Sequence, residues 1–268
     1  KPLAITAQLI ILAVRGYIRI IDNRQDPTDK KQDFSLELIK TDDTLKPEEQ
    51  QVLNAFFGEN SPAATVVVLN DLKNKLSKDV TKLNKSIAEN ATVLGFFGKN
   101  PQKATKSYYS LGSIVLGLGF AGLFIGPFFA VVGASMILSG IIILLLAKTI
   151  PARTQSGVSL HDYLLGLKLY IGMAEQERIR FHQNPDAAQR KRIDSSNPQQ
   201  MLILFENLLP YAILFGMAKE WGEQFASIYT EPPTWYSGNL NAFSTGYLIG
   251  SIGDFNSQTS VSFTPPSS

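Results

Sequence analysis

The stretch Leu111–Ala147, LGSIVLGLGFAGLFIGPFFAVVGASMILSGIIILLLA, decides how the chain is read: its 37 consecutive residues carry no charge, and the nearest charges on either side are Lys106 and Lys148. One transmembrane helix needs about 20 apolar residues to cross about 30 Å of hydrocarbon, so the stretch is nearly two crossings long. Gly126-Pro127 lies close to its middle. Proline has no N–H to donate and glycine turns freely, so the chain is expected to double back at this pair. The reading is a transmembrane hairpin over 107–148, built from two short antiparallel spans, 107–125 and 128–147.

The second span holds twelve Leu, Ile, Val or Phe residues between Phe128 and Leu146, each worth about −0.3 to −0.6 kcal/mol on insertion. The first holds nine between Leu111 and Ile125 and is interrupted by glycine, so alone it is marginal. Glycine recurs at 112, 119, 126, 133 and 140. A seven-residue step returns to nearly the same helix face, which gives each span a smooth strip where backbones can approach closely. Packing of the two spans on each other is the simpler use of that strip. The sharper one is a homo-oligomer through the glycine face, extended by the small pairs Gly122/Gly126 and Ser135/Ser139. Gly117-Leu-Gly119-Phe-Ala-Gly122 spells a dinucleotide fingerprint, but it sits in a membrane span with no acid following to hold a ribose, and it is rejected.

Lys99, Lys103 and Lys106 precede the first span and Lys148 and Arg153 follow the second, while the turn between them carries no charge. Lys and Arg accumulate on cytoplasmic flanks, so both soluble parts are expected to face the cytoplasm from an inner (plasma) membrane, with the lipid bilayer as first partner. Tyr108 and Tyr109 stand where an interfacial aromatic belt belongs. The chain opens on Lys1, already near an apolar helical pattern, which reads as a truncated start.

Composition agrees. Of 268 residues 44% are hydrophobic and 18% charged, with a net charge of +2, and the mean hydropathy is +0.02. All 25 basic and 23 acidic residues lie on the 231 residues outside the uncharged stretch, about 21% of them, close to an ordinary soluble composition. No cysteine is present, which excludes disulfides, thiolate metal sites and a cysteine nucleophile. His161 and His182 are the two histidines, too few for a histidine metal site. No cofactor or metal ligand set is expected.

Before the hairpin, Ile5, Leu9, Leu12 and Ala13 mark a helix stopped by Gly16. Strands are expected at 17–21 and 34–40, separated by a polar turn, and helix plus β-hairpin is the second half of a winged helix. Another helix begins near Pro47, buries Val52, Leu53, Phe56 and Phe57 and ends at Gly58. A short strand over 64–69 leads to a long helix capped by Asn70, with Leu72, Leu76, Val80, Leu83 and Ile87 in one stripe. Residues 1–100 are thus taken as a winged-helix-like α+β region, divisible into 1–41 and 42–100. Lys73, Lys75, Lys78, Lys82 and Lys85 accompany that last helix. DNA binding through them is the alternative function, but arginine is absent there, acidic residues lie nearby, and a lysine face close to a membrane is more often solvated or drawn to anionic headgroups.

After the hairpin, Ser159-Leu-His-Asp162 has a capping-box pattern, and Leu160, Tyr163, Leu164, Leu167, Ile171 and Ala174 share a face reaching Phe181. A basic connector over 186–200 separates this helix from another over 201–227, kinked or restarted at Pro210. The two are expected to close as a C-terminal helical hairpin within 149–236, with Trp221, Trp235 and Tyr236 packed over it. Residues 237–268 carry one charge and much Ser, Gly, Asn and Thr, a tail composition.

Catalysis finds no support. His161 and Asp162 are helix neighbours about 100° apart and are not expected to form a hydrogen-bonded dyad. Glu175 and Glu177 share no face, and no hydrolase, P-loop or metalloprotease motif occurs. Together ITAQLIILAVRGYIRI (5–20), the 45–58 helix, the hydrophobic hairpin, LLGLKLY (164–170) with AEQER (174–178), and FENLLPYA (205–212) running to Trp221 resemble the YciQ-like predicted membrane proteins, a family of unknown function. The resemblance covers about 1–236. It implies a bacterial or archaeal envelope protein whose signal, extracytoplasmic β-domain and earlier membrane helix precede this region, and whose Gly/Ser-rich end follows it. The family has no established catalytic residues, so none transfer. The expectation is an α-rich, non-enzymatic membrane protein serving protein interaction or scaffolding.

Overall fold

The computed structural model describes residues 2–24, 33–42, 44–147, 149, 153–173, 197–225, 232–238 and 244–263. The expected Glu175 and Glu177, the helix end at Phe181 and most of the basic connector lie outside them. The chain forms two units, one from residues 1–83 and 165–268, the other from 84–164. In sequence the second unit, labelled the membrane unit because it holds the apolar stretch, is an insertion into the first, labelled the soluble unit.

The soluble unit is organised around α1 (Pro2–Val14). Ile5, Thr6, Ala7, Leu9, Ile10, Leu12 and Ala13 are all buried, so this helix is covered nearly all round, as its near-continuous apolar sequence requires. It stops where Gly16 takes a φ of +76° and the Tyr17 N–H reaches back to the Leu12 carbonyl at 2.9 Å. β1 (Ile18–Asp22) and β2 (Phe34–Leu38) pair antiparallel, Ile20 opposite Leu36, inside a sheet of order β3-β2-β1-β4. β3 (Val66–Val68) pairs antiparallel with β2, and β4 (Tyr236–Ser237) pairs parallel with β1. α2 (Pro47–Phe57) starts at its proline and packs on α1.

Helix followed by hairpin thus occurs as expected, but its setting differs from a winged helix in the strand added from residue 236 and the helices that cover α1. α3 (Ser77–Val93) begins seven residues after Asn70, which lies instead in a short 3-10 turn over Leu69–Leu72. The backbone N–H groups of Asn74 and Leu76 donate to the carbonyls of Val261 and Ser262, and those bonds take the segment out of the helix.

α6 (Gln155–Gly172) starts four residues before Ser159, whose hydroxyl donates to the Gln155 carbonyl. The Ser159–Asp162 cap is therefore corrected to positions inside the helix. α7 (Pro198–Phe215) runs through Pro210 and ends at Gly216 with φ +73°. It buries Met201, Phe205, Leu209, Ala212 and Ile213, chiefly against α1. The expected α6–α7 hairpin gives way to that pairing because α1 needs apolar cover on each side. α8 (Ala218–Glu223) seats Trp221 against Phe205 and Phe225, its indole N–H on the Phe205 carbonyl.

The expected tail is corrected by α9 (Thr245–Ser262), capped by Ser244. Leu248, Ile252 and Phe255 enter the core, Phe255 edge-on to Phe34, and Phe263 stands edge-on to Phe56. Gly250 and Gly253 face open space, so its weak helical composition is spent on the outer face while burial holds the inner one.

An apolar helical hairpin and a buried ionic cluster

α4 (Pro101–Gly122) and α5 (Pro127–Leu146) pack antiparallel along most of their length. α4 begins at Pro101, with the Asn100 carboxamide oxygen accepting from the N–H groups of Gln102 and Lys103. α5 starts at Pro127, as the sequence suggests. The glycine strip explains their closeness. A Cβ on Gly133 would meet the Gly119 carbonyl at 2.5 Å, one on Gly140 would meet Leu116, and one on Gly112 would strike Leu144 at 2.9 Å. The strip is thus covered within the chain, while Gly117 points into open space and Ser135 and Ser139 face outward, bonded to their own helix's carbonyls.

The opposite surface is apolar and uncovered: Phe124 is 88% exposed and Leu145 73%. Water would penalise such a surface, whereas hydrocarbon would not. Among the described residues only α5 is by itself long and apolar enough to cross a membrane. α4 falls short because its first turns, Pro-Gln-Lys-Ala-Thr-Lys, are polar. At the base, the chain entering and the chain leaving are tied together. Phe97 pairs with Arg153, the Thr154 N–H donates to the Phe96 carbonyl at 3.2 Å, and its hydroxyl donates to Gly95.

His161 and Asp162 come closer than neighbouring helix positions suggest, with Nδ1 and Oδ1 3.4 Å apart. Both are substantially exposed, and among the described residues no third side chain bonds the imidazole. Gly117, Gly119 and Gly122 lie inside α4, not at a strand–helix turn, so the fingerprint has no phosphate-binding geometry.

The chemistry that sequence reading missed is in the soluble unit. Asp22 has a side chain 0% exposed and Arg24 one 4% exposed. The Asp22 carboxylate accepts from Arg24 Nε at 2.8 Å and Nη2 at 2.7 Å, and from the hydroxyls of Tyr236, Tyr247 and Ser251 at 3.0–3.1 Å. Arg24 Nη1 reaches Asp254 on α9 at 2.6 Å, and its guanidinium lies over the Phe34 ring. Burial alone would raise the Asp22 pKa, but the bonds from Arg24 and Tyr247 overcome it and hold the carboxyl below its ordinary value. Burial pushes the Tyr236 phenol up, so it stays protonated and donates. Strand parity was the available signal: Ile18, Ile20 and Asp22 point to one side, so an acid at 22 faces the core.

A second polar group surrounds Tyr17, whose ring carries Arg15 and Lys40 on it and whose hydroxyl donates to Asp42. Beside it an open cleft of about 410 Å³ runs between the end of β2 and the end of α2. Gln50 and Asn54 in its wall bond each other, and Asp42 accepts from Thr44. Among the described residues no cluster of potential metal ligands occurs.

No curated protein matches the chain, and no solved structure does. The family model described as "Predicted membrane protein (DUF2207) C-terminal domain" matches residues 1–225. With the apolar hairpin inside the matched range, the chain belongs to this family of predicted membrane proteins, whose biochemical function is unknown.

Proposed function

We propose that the protein is a non-catalytic, membrane-anchored interaction or scaffolding protein, whose α4–α5 hairpin crosses an inner (plasma) membrane twice and whose soluble unit lies on the cytoplasmic side. One observation carries the reading: residues before and after the hairpin build one unit, with β1 paired to β4. A single crossing by α5 would put those paired strands on opposite sides of the bilayer. The Phe97–Arg153 pairing at the base supports the same return. At about 1.5 Å per residue, 20 residues of α5 rise about 30 Å, one hydrocarbon thickness. The cytoplasmic side is supported by the lysines before α4 and the uncharged turn.

Interaction rather than chemistry is supported by the enclosure of the strongest charge cluster. Asp22 is sealed from substrate and its bonding capacity is taken up by Arg24, Tyr236, Tyr247 and Ser251. DNA binding would fall to the lysines of α3, since α1 is buried nearly all round, and α3 carries no arginine. Alkaline carbonate extraction and protease accessibility of tags at both ends test the proposal. Carbonate resistance with both tags exposed on inside-out vesicles is the expected result; one tag on each side refutes the two-crossing hairpin.

A further inference from the structure

The net charge of +2 conceals a strong polarity along the chain. Residues 73–106 hold eight lysines against Asp79 and Glu89, a net of +6, leaving the remainder at −4. All eight lysines are exposed. On α3, Lys78, Lys82 and Lys85 follow one another at i, i+4 and i+7 and so share a face. Asp79 lies 4.0 Å from Lys82, and Glu89 continues the same face, where Lys103 of α4 meets it at 3.7 Å. Gln102 of α4 also donates to the Asn84 carbonyl of α3, so the second half of α3 is held beside the root of the hairpin.

The apolar residues of α3 change partner along its length. Leu83 is buried, with Val80 packed against the same core, whereas Ile87 is 45% exposed, Val93 83% and Leu94 67%. Past Leu83 the helix thus carries bulky apolar groups uncovered as well as cations, in the stretch of sequence that leads into α4. That pairing of groups suits one medium, the boundary between anionic headgroups and acyl chains.

We propose that the lysine face of α3 docks on anionic lipid headgroups of the leaflet from which the hairpin enters, Val93 and Leu94 dipping into the interface. This rests on the membrane reading of α4–α5. Charge complementarity and continuity with the hairpin favour a lipid surface over nucleic acid.

The absence of cysteine allows a single label. The whole chain carrying Ser86→Cys with a fluorophore is placed in nanodiscs of phosphatidylcholine alone or with about 30% phosphatidylglycerol, each containing a headgroup-nitroxide quencher. Strong quenching is expected in the anionic discs, reduced by high salt. In the triple variant Lys78→Gln, Lys82→Gln, Lys85→Gln the ratio of docked to undocked helix should fall about a hundredfold, at roughly fivefold per lysine. Unchanged emission from Trp221 and Trp235 verifies folding of that variant. Equal quenching in both lipids, or quenching indifferent to the triple variant, overturns the proposal. So does duplex DNA binding in neutral discs that the triple variant loses, which would make nucleic acid the partner. Extraction by alkaline carbonate would instead refute the membrane reading itself, whereas a carbonate-resistant chain with lipid-indifferent quenching refutes the headgroup contact alone.

Discussion

Arg24→Met is the most informative single perturbation, because it removes the cation and leaves the buried anion. The substitution deletes both guanidinium bonds to Asp22 and the bond to Asp254, while the three hydroxyl donors stay in place. Breaking a buried pair from one side costs about 3–5 kcal/mol, because the surviving charge has lost both water and partner. For a unit of this size each kcal/mol lowers Tm by about 2–4 °C, so a fall of about 10 °C is expected near neutral pH. The pH dependence gives the sharper signature. In the wild type the folded-state pKa of Asp22 lies below its unfolded value, so its contribution is present above about pH 4 and is lost as pH falls through the folded value. In the variant burial prevails and the folded pKa rises above the unfolded one, so acid relieves the penalty by protonating the carboxyl. The gap between the two proteins should therefore shrink from pH 7.5 toward pH 4.5, and adding Asp22→Asn should recover part of the loss at neutral pH. Trp221 and Trp235 are both buried in the same unit as the cluster, so thermal unfolding followed by their emission reads the relevant transition. A cost below about 1 kcal/mol at neutral pH, or one independent of pH, would refute the argument that Arg24 compensates a buried charge.

Three further outcomes follow. Gly133→Ala should speed hydrogen exchange along α4, because its Cβ would meet the Gly119 carbonyl, whereas Gly117→Ala, facing open space, should be neutral or stabilising by up to about 1 kcal/mol. Truncation after residue 225, where the family match ends, removes β4 and α9; exposure of Phe34 and loss of the Asp254 bond should make the soluble unit sensitive to limited proteolysis and shift Trp221 emission to the red. Glu49→Ala removes the acceptor for the Lys46 N–H and the partner of Arg15, costing about 1–2 kcal/mol in urea unfolding. Burial would raise the Glu49 pKa, but the Lys46 N–H and Arg15 bonds hold it below its ordinary value, so that cost should be full at neutral pH and vanish as pH falls through the folded value.

Local signals carried much of the fold. Pro47 and Pro127 mark helix starts, Gly16 and Gly58 mark helix ends, and alternating apolar residues place β1 and β2. What escaped depends on partners remote in sequence. The C-terminal helix shows few of the residues that favour helices, and four of its buried positions, Ser251, Gln258, Thr259 and Ser262, are polar. The Gln258 carboxamide oxygen accepts from the Phe34 N–H, a role that composition cannot announce. Asp22 falls just past the strand expected over 17–21, although it continues the inward side of that strand. Pro210 looked like a break, but tertiary packing on α1 carries α7 to Gly216. In the membrane unit the glycine spacing did foretell a close approach of two helices, because there sequence neighbours are also spatial neighbours.

The packing of α9 on α1 also sets a clock. The ribosome adds 116 residues between Leu146 and Ser262, which takes about 6 to 23 s at about 5–20 residues per second. The hairpin is therefore complete well before the unit that holds the sheet can close. For the first 69 of those residues α1 lacks α7, and it lacks α9 until the last of them, an oily segment left uncovered in the meantime. The helix at the centre of the core is thus made among the first elements and covered by the last, which asks the nascent chain to keep α1 shielded until α9 arrives.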